Sequence, residues 1–312
     1  AHKDKNIDLK LLVAASGLWV DIPYPYRAIE CLVNADTTSG MVLTTALLLT
    51  QIAGVLKEIN PDYVLVHGDR YEVLAVALAA AYMNIPLAHT EGGDVSGTID
   101  DKVRYAITEL ADIHFPVTFI SGKRLNRKNV HVVGSTALDG LKPVDNPAKL
   151  FLNVDDYIVV LHHPNTTDPE PIEPLIEAVK SLPYKKVWLN PNVDAGYKAM
   201  LEKIHAAPVE FVKNLPPDDY INLIYNAKCC IGNSSSFIKE GAFFGIPVVL
   251  VGNRQENREH GDNVMLANME TWDIVQKTFK QIEHGRYDPD YRFGDGHAAE
   301  KIIEVLTCLY SE

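Results

Sequence analysis

The sequence predicts an α/β protein made of two doubly wound, Rossmann-like domains. Three observations carry that expectation. Short apolar runs of strand length alternate with longer amphipathic stretches; the alternation occurs as two series along the 312 residues; and a stretch of poor periodicity, bearing Pro and Asp, separates the series. Apolar runs without polar alternation belong to parallel strands that crossover helices cover on both faces.

In the first series the expected strands are LKLLVAAS (9–16), DYVLVHGD (62–69), IPLAHTEGG (85–93), DIHFPV (112–117) and VHVVGST (130–136). In the second they are YIVVLHHPN (157–165), KKVWLNPN (185–192), VEFVKNL (209–215), KCCIGNSSS (228–236) and IPVVLVGN (246–253). Helical periodicity falls between several of them, at 40–60, 71–84, 99–111, 170–182, 218–227 and 236–245. The segment 116–133 leaves little room for a full helix between two strands. The linker is expected at about 139–156. The domains then run 1–145 and 146–290, with a C-terminal helix in 291–312 that packs back on the first.

Composition narrows the function. Nearly half the residues are apolar, enough for sizeable cores, and the net charge of -12 argues against a nucleic-acid groove. No apolar run is read as approaching the roughly 20 residues needed to span a bilayer, and the opening AHKDKNIDLK is polar, so neither a membrane nor a signal peptide is expected. Cys31, Cys229, Cys230 and Cys308 show no CxxC spacing. They read as buried, reduced thiols, which fits a cytoplasmic protein.

In open parallel sheets, ligands bind beyond the carboxyl ends of the strands. Four such ends here are polar: His67, Asp69 and Arg70; His89 and Glu91; His162, His163 and Asn165; Asn233, Ser234, Ser235 and Ser236. After Glu91 comes a glycine-rich turn, and Glu91, Asp94, Asp100 and Asp101 crowd into eleven residues. A metal, a reaction needing several proton carriers and a solvated loop all account for such crowding. The histidines come from separate strands without HExxH or HxH spacing, so no catalytic metal is expected. GNSSSFIKEG reads either as an ordinary Ser N-cap or as a diphosphate site at a helix N-terminus, with Glu240 later on the helix as a ribose acceptor. Arg254 and Arg258 in GNRQENREHGDN lie either in a solvated loop or against phosphates.

Beyond these readings, VHGDRYEVLA, HTEGGDVSGTIDDKVRYAITELAD, LHHPNTTD, PNVDAG, IGNSSSFIKEGAFFGIPVVLVGNRQENREHGDNV and GDG together resemble the hydrolysing UDP-N-acetylglucosamine 2-epimerases, from about residue 7 onward. The resemblance implies a GT-B-type fold with the active site in the cleft. The reaction it implies is elimination of UDP from UDP-N-acetylglucosamine to 2-acetamidoglucal, then hydration to N-acetylmannosamine for sialic acid synthesis. A 2,4-diacetamido-2,4,6-trideoxy sugar, the non-hydrolysing reaction and a non-catalytic sugar-nucleotide binder are the alternatives. It also implies an N-terminal strand and loop with an Arg-Ala-Asp-Tyr-like motif, absent here, so the chain is expected to start near the family's second strand.

Carried over residue by residue, the resemblance makes Asp69, Glu91 and Asp100 the acid/base candidates. It sets His163 at the leaving phosphate or the intermediate, and Arg70 and Arg104 beside the carboxylates. His89, Asp101, Asn192, Val212, Asn214, Asn233, Ser234, Ser235, Glu240, Arg254 and Arg258 become substrate-binding candidates, with the backbone of 212–214 meeting uracil. No cofactor is implied. The partners expected are a UDP-sugar and further copies of the chain, as a dimer or tetramer.

Overall fold

The computed structural model describes residues 7–15, 22, 24–34, 36–142, 156–213 and 215–310. Asn214, most of the expected linker and the boundary at 145/146 lie outside the described residues. The chain forms two compact α/β units: Ala1–Asp94 with Ile99–Asp139 and Gly294–Glu312, and Val95–Thr98 with Gly140–Phe293.

In the first unit, β1 (Leu12–Ala14) pairs in parallel with β2 (Arg27–Ile29), and β3 (Val64–His67), β4 (Leu87–Thr90) and β5 (Ile113–Phe115) form a second parallel sheet in that order. Helices α1 (Thr38–Ile59), α2 (Tyr71–Tyr82) and α3 (Ile99–Leu110) cover these strands. Leu48, Ile52, Val55 and Leu56 of α1 meet Ala75, Ala79 and Ala80 of α2, together with Val64 and Val66 of β3. The alanines of α2 let α1 lie close, and each large aliphatic side chain buried there contributes roughly 1.5–3 kcal/mol.

α1 corrects one expectation. It is a 22-residue helix with a window of mean hydropathy 1.7, so by length and composition alone it is long and apolar enough to cross a membrane. A core helix passes the same test, and α1 places a stripe at helical spacing in the core (Gly40, Thr44, Leu48, Ile52, Val55) while Val42, Leu43 and Leu47 face outward.

Two further differences lie between β5 and the end of this unit. The expected strand at 130–136 is reduced to a bridge between Val130 and His114. Gly134, at φ +91°, turns the chain into a 3-10 turn at Thr136–Leu138, which ends the pairing. Conversely, 116–133 does hold a short helix, α4 (Phe119–Leu125). It is started by a reciprocal Thr118–Ser121 capping box and stopped by left-handed Asn126, signals stronger than its poor periodicity.

The second unit has six parallel strands: β6 (Tyr157–Leu161), β7 (Lys185–Leu189), β8 (Glu210–Val212), β9 (Cys229–Gly232), β10 (Val248–Val251) and β11 (Val264–Ala267). Their spatial order is β11-β10-β9-β6-β7-β8, the doubly wound order in which the winding reverses between β6 and β9. Helices α5 (Glu173–Ser181), α6 (Tyr197–His205), α7 (Pro217–Asn226), α8 (Ser235–Phe243) and α9 (Thr271–His284) connect them. β11, α6 and α9 escaped the sequence reading because their runs are short or interrupted by charge. Trp188, Ile158, Val160, Ile231 and Val249 fill the core on one face of this sheet.

The C-terminal helix is α10 (Ala298–Tyr310), whose Ala298 and Ile302 pack with Ala88, Ile113, Phe115 and Val133 of the first unit. Cys31, Cys229 and Cys230 are buried thiols, but Cys308 on α10 is exposed, against expectation: a short amphipathic helix leaves one face in water.

Candidate active site

In the first unit the carboxyl ends of β3 and β4 converge. His67 and Thr90, their last residues, share a hydrogen bond of 2.8 Å between Nδ1 and Oγ1. Asp69 and Glu91 follow two and one residues beyond. Arg104 on α3 organises this end: it is 1 % exposed, donates to an Asp69 carboxylate oxygen, and donates through Nη1 to Asp101 Oδ1 at 2.5 Å and to the Asp94 carbonyl at 2.8 Å. Burial pulls the guanidinium pKa down, but the charges of Asp69, Asp94 and Asp101 outweigh it and the net shift is upward. The crowding of acids around the glycine turn therefore has a structural partner, a single buried guanidinium that presents several donors in a fixed fork.

Asp94 is buried, and its backbone serves Arg104. Asp100 and Asp101 open α3, where the helix N-terminus favours negative charge. Arg70 chelates Glu72 at 3.2 and 3.3 Å through its guanidinium fork.

His89, expected at the substrate, is fully buried. One ring nitrogen meets the Gly68 carbonyl at 2.9 Å and the other the Thr108 hydroxyl at 3.3 Å. Burial, aided by the nearby charge of Arg104, holds its pKa down at about 4, so it is neutral and Nε2–H donates to Gly68. It pins the Gly68 turn that precedes Asp69. Glu91 sits in the left-handed region at φ +66°, uncommon for a residue with a side chain, and its carboxylate accepts from Ser135 Oγ at 3.1 Å.

In the second unit the winding reverses between β6 and β9, and the expected residues gather there. Gly232 ends β9 at φ +143°, where a Cβ would stand 2.0 Å from the Leu161 carbonyl. That close approach lets Asn233 reach across: its Oδ1 accepts from the His163 N–H at 2.7 Å and its Nδ2 donates to the His163 carbonyl at 2.9 Å. The Asn233 side chain, expected to meet substrate, is instead a clamp between the two strand ends. His163 Nδ1 accepts the Asn192 N–H at 2.9 Å, which leaves the ring proton on Nε2. His162 is buried and its pKa is pushed down to about 3 by burial and then by the charge of Arg254.

Ser234 caps α8 by accepting from the Ser236 N–H at 3.3 Å, and Ser235 is the first helical residue. Arg254 donates to the Asn233 carbonyl at 3.2 Å, bringing a cation to the start of α8. A helix N-terminus, small hydroxyls and a guanidinium form an anion-binding arrangement. Arg258 is buried in the turn after β10 and Glu240 is buried on α8. The charge of Glu240 is the second cause, after burial, of the high Tyr220 pKa. The Val212 carbonyl accepts from Asn190 N–H at 3.1 Å.

Sequence reasoning missed Ser135, Thr108 and Asn253. Asn253 ties β10 to the segment after β6 by accepting from Asn165 at 2.7 Å and donating to Asp168 at 2.6 Å. The only sequence signal for Ser135 was a small polar residue after Gly134. Among the described residues, no three His, Cys, Asp or Glu side chains come together as metal ligands.

Residues 20–307 match the family model described as UDP-N-acetylglucosamine 2-epimerase. A UDP-N,N'-diacetylbacillosamine 2-epimerase (hydrolyzing) from Legionella pneumophila is 30% identical, over 99% of this chain and 90% of that protein. A UDP-N-acetylglucosamine 2-epimerase from Neisseria meningitidis serogroup B is 30% identical over 83% of this chain and 74% of that one. Among solved structures, Methanocaldococcus jannaschii UDP-GlcNAc 2-epimerase, in complex with UDP-GlcNAc and UDP, superposes with a TM-score of 0.75 at 18% identity, covering 96% of this chain and 100% of that chain. The two units are thus Rossmann-like domains of the GT-B type, and with the family match over nearly its whole length the chain belongs to the UDP-N-acetylglucosamine 2-epimerase family.

Proposed function

We propose that this chain is a hydrolysing 2-epimerase that converts UDP-N-acetylglucosamine and water to N-acetylmannosamine and UDP, in the cytoplasm and without a cofactor. The observation that carries the proton chemistry is the placement of Asp69 and Glu91 beyond adjacent strand ends, with Arg104 holding Asp69 and Asp101. A carboxylate takes the C2 proton as the C1–O bond breaks; UDP leaves with the bonding pair and a C1=C2 glycal remains. Water then adds its oxygen to C1 and gives up one proton to a carboxylate or the departing UDP, while a second acid delivers a proton to C2 from the opposite face. Inversion at C2 needs a proton carrier on each face, and each such carrier is typically worth about 10²–10⁴-fold. His163, with its proton on Nε2, is a donor suited to a phosphate or glycal oxygen. The α8 N-terminus and Arg254 suit the diphosphate, and Glu240 the ribose.

A second reading changes only the sugar. The Legionella relative, matched over 99% of the chain, is named for UDP-N,N'-diacetylbacillosamine and for hydrolysis. That name supports hydrolysis here and makes the diacetamido sugar the competing substrate.

Product NMR with each UDP-sugar, in heavy water and in oxygen-18 water, tests both readings. Free UDP, one deuterium at C2 and oxygen-18 at C1 are expected. UDP still attached to an epimerised sugar would replace hydrolysis with the non-hydrolysing reaction, and retention of the original C2 hydrogen would remove the elimination route. Calorimetry on Glu240→Ala is expected to show weaker UDP binding; unchanged affinity would remove its role at the ribose.

A further inference from the structure

The GDG run at 294–296 and the C-terminal helix lie far in sequence from the proton carriers, yet the first unit connects them through three contacts. The first is at Glu91. Its backbone is fixed in the left-handed region, with its N–H on the Phe115 carbonyl at 3.0 Å, so the carboxylate is aimed by its side-chain partners. Ser135, 1 % exposed, donates to Glu91 Oε1 at 3.1 Å.

The second contact is behind Ser135. Gly294 lies against the backbone of Gly134 and Ser135: a Cβ on it would stand 2.9 Å from the Gly134 Cα and 3.2 Å from the Ser135 nitrogen, and its φ of +125° disfavours a side chain as well. The third contact closes the far side of the same turn. Both Asp139 carboxylate oxygens accept from the first amides of α10, Ala298 N–H at 2.8 Å and Ala299 N–H at 2.6 Å. The turn 134–139 is held at both ends by the segment 294–299.

We propose that Ser135 is a positioning residue for the Glu91 carboxylate, and that Gly294 and the Asp139-capped start of α10 hold Ser135 in place. This rests on Glu91 being a proton carrier of the 2-epimerase reaction. A hydroxyl donor on one carboxylate oxygen fixes the side-chain rotamer and with it the direction from which the carboxylate takes or gives a proton. Misplacement of a reacting group by about 1 Å can cost on the order of 10²-fold in rate.

The test is a kinetic double-mutant cycle on the full chain. Ser135→Ala should lower kcat about tenfold or more with KM and UDP affinity little changed. Added to Glu91→Gln it should cost nothing further. Gly294→Ala should give the same kcat-only loss by displacing the Ser135 backbone. Should Ser135→Ala fold poorly, Ser135→Cys keeps the size and a weak donor, and should fall between the wild type and Glu91→Gln. Losses that add fully across the cycle, a loss confined to KM, or wild-type kcat in Ser135→Ala would each overturn the positioning role while leaving the 2-epimerase reading intact. A wild-type protein that turns over neither UDP-sugar would remove both.

Discussion

Replacing Arg104 by Met tests whether one buried guanidinium organises the acidic turn. Arg104 is 1 % exposed, whereas the side chains of its partners Asp69 and Asp101 are 25% and 17% exposed. Breaking a buried ion pair from one side costs about 3–5 kcal/mol, because the remaining charge is left without compensation. Here water reaches part of both carboxylates, so the lower end, about 3 kcal/mol, is expected. At a urea m-value of about 2 kcal/mol/M that moves the midpoint down by about 1.5 M. The two units need not unfold together, so hydrogen exchange resolved by peptide is the assay, read at β3 and β4 against β6 and β9. Exchange should quicken at β3 and β4 alone, and turnover should collapse as Asp69 loses its orientation. Arg104→Lys keeps a charge but not the fork, and should recover only part of the stability. Wild-type protection at β3 and β4 in Arg104→Met would refute the assignment of Arg104 as organiser.

Other perturbations have equally definite outcomes. His89 and His162 are held neutral by burial, with pKa values lowered to about 4 and about 3. Their contribution is fully present above the unfolded histidine pKa of about 6.5, and is lost as pH falls toward those folded values, on the order of 3 kcal/mol from each by about pH 4. Urea midpoints measured from pH 7 to 4.5 should fall, less steeply in His162→Gln; an identical slope in that variant would count against the linkage. Gly252→Ala should lower stability by roughly 1–3 kcal/mol, since its φ is +78° and a Cβ would meet Glu170 Oε2 at 2.4 Å. Gly54→Ala in α1, with nothing within 4 Å of the added Cβ, should raise stability by roughly 0.5–1 kcal/mol. Equal effects in thermal melts would show that the environment of Gly252 is not restrictive.

Five strands of the second unit, β6 to β10, and its helices α5, α7 and α8 were legible because parallel burial writes continuous apolar runs, as in YIVVL and VVLV, and because strand ends must turn polar. The same logic singled out Asp69, Glu91, His163 and Asn233 as residues at the carboxyl ends of strands, where the structure places them. It could not assign their partners. That His89 faces inward, or that Asn233 clamps His163, depends on which strand lies beside which. β6 and β9 are neighbours although about 70 residues separate them, and only the winding order reveals it. The strand at 130–136 was misread, and the short helix α4 was not picked out within a segment read as having little room for a full helix, for a local reason. Capping by Thr118 and a left-handed Gly134 override a weak hydrophobic period over so few residues.

The tautomer of His163 is set by the backbone of the 190–192 segment. Asn192 N–H donates to Nδ1 at 2.9 Å, so Nδ1 bears no proton while that bond stands. The ring is then a donor at Nε2, not a base there. Nitrogen-15 NMR should show Nδ1 with an unprotonated shift and Nε2 with a protonated one at neutral pH. Two substitutions separate the edges of the ring. His163→Gln sets an amide near the Nε2 position and can keep the donor, while losing the acceptor for Asn192. His163→Asn can keep that acceptor and removes the donor. If the donor matters to the leaving group or the intermediate, kcat should fall further in His163→Asn than in His163→Gln, while the fold near Asn192 should be better preserved in His163→Asn. The reverse order of kcat would assign His163 to holding the 190–192 segment, and would move the donor for the leaving oxygen to the start of α8 and Arg254.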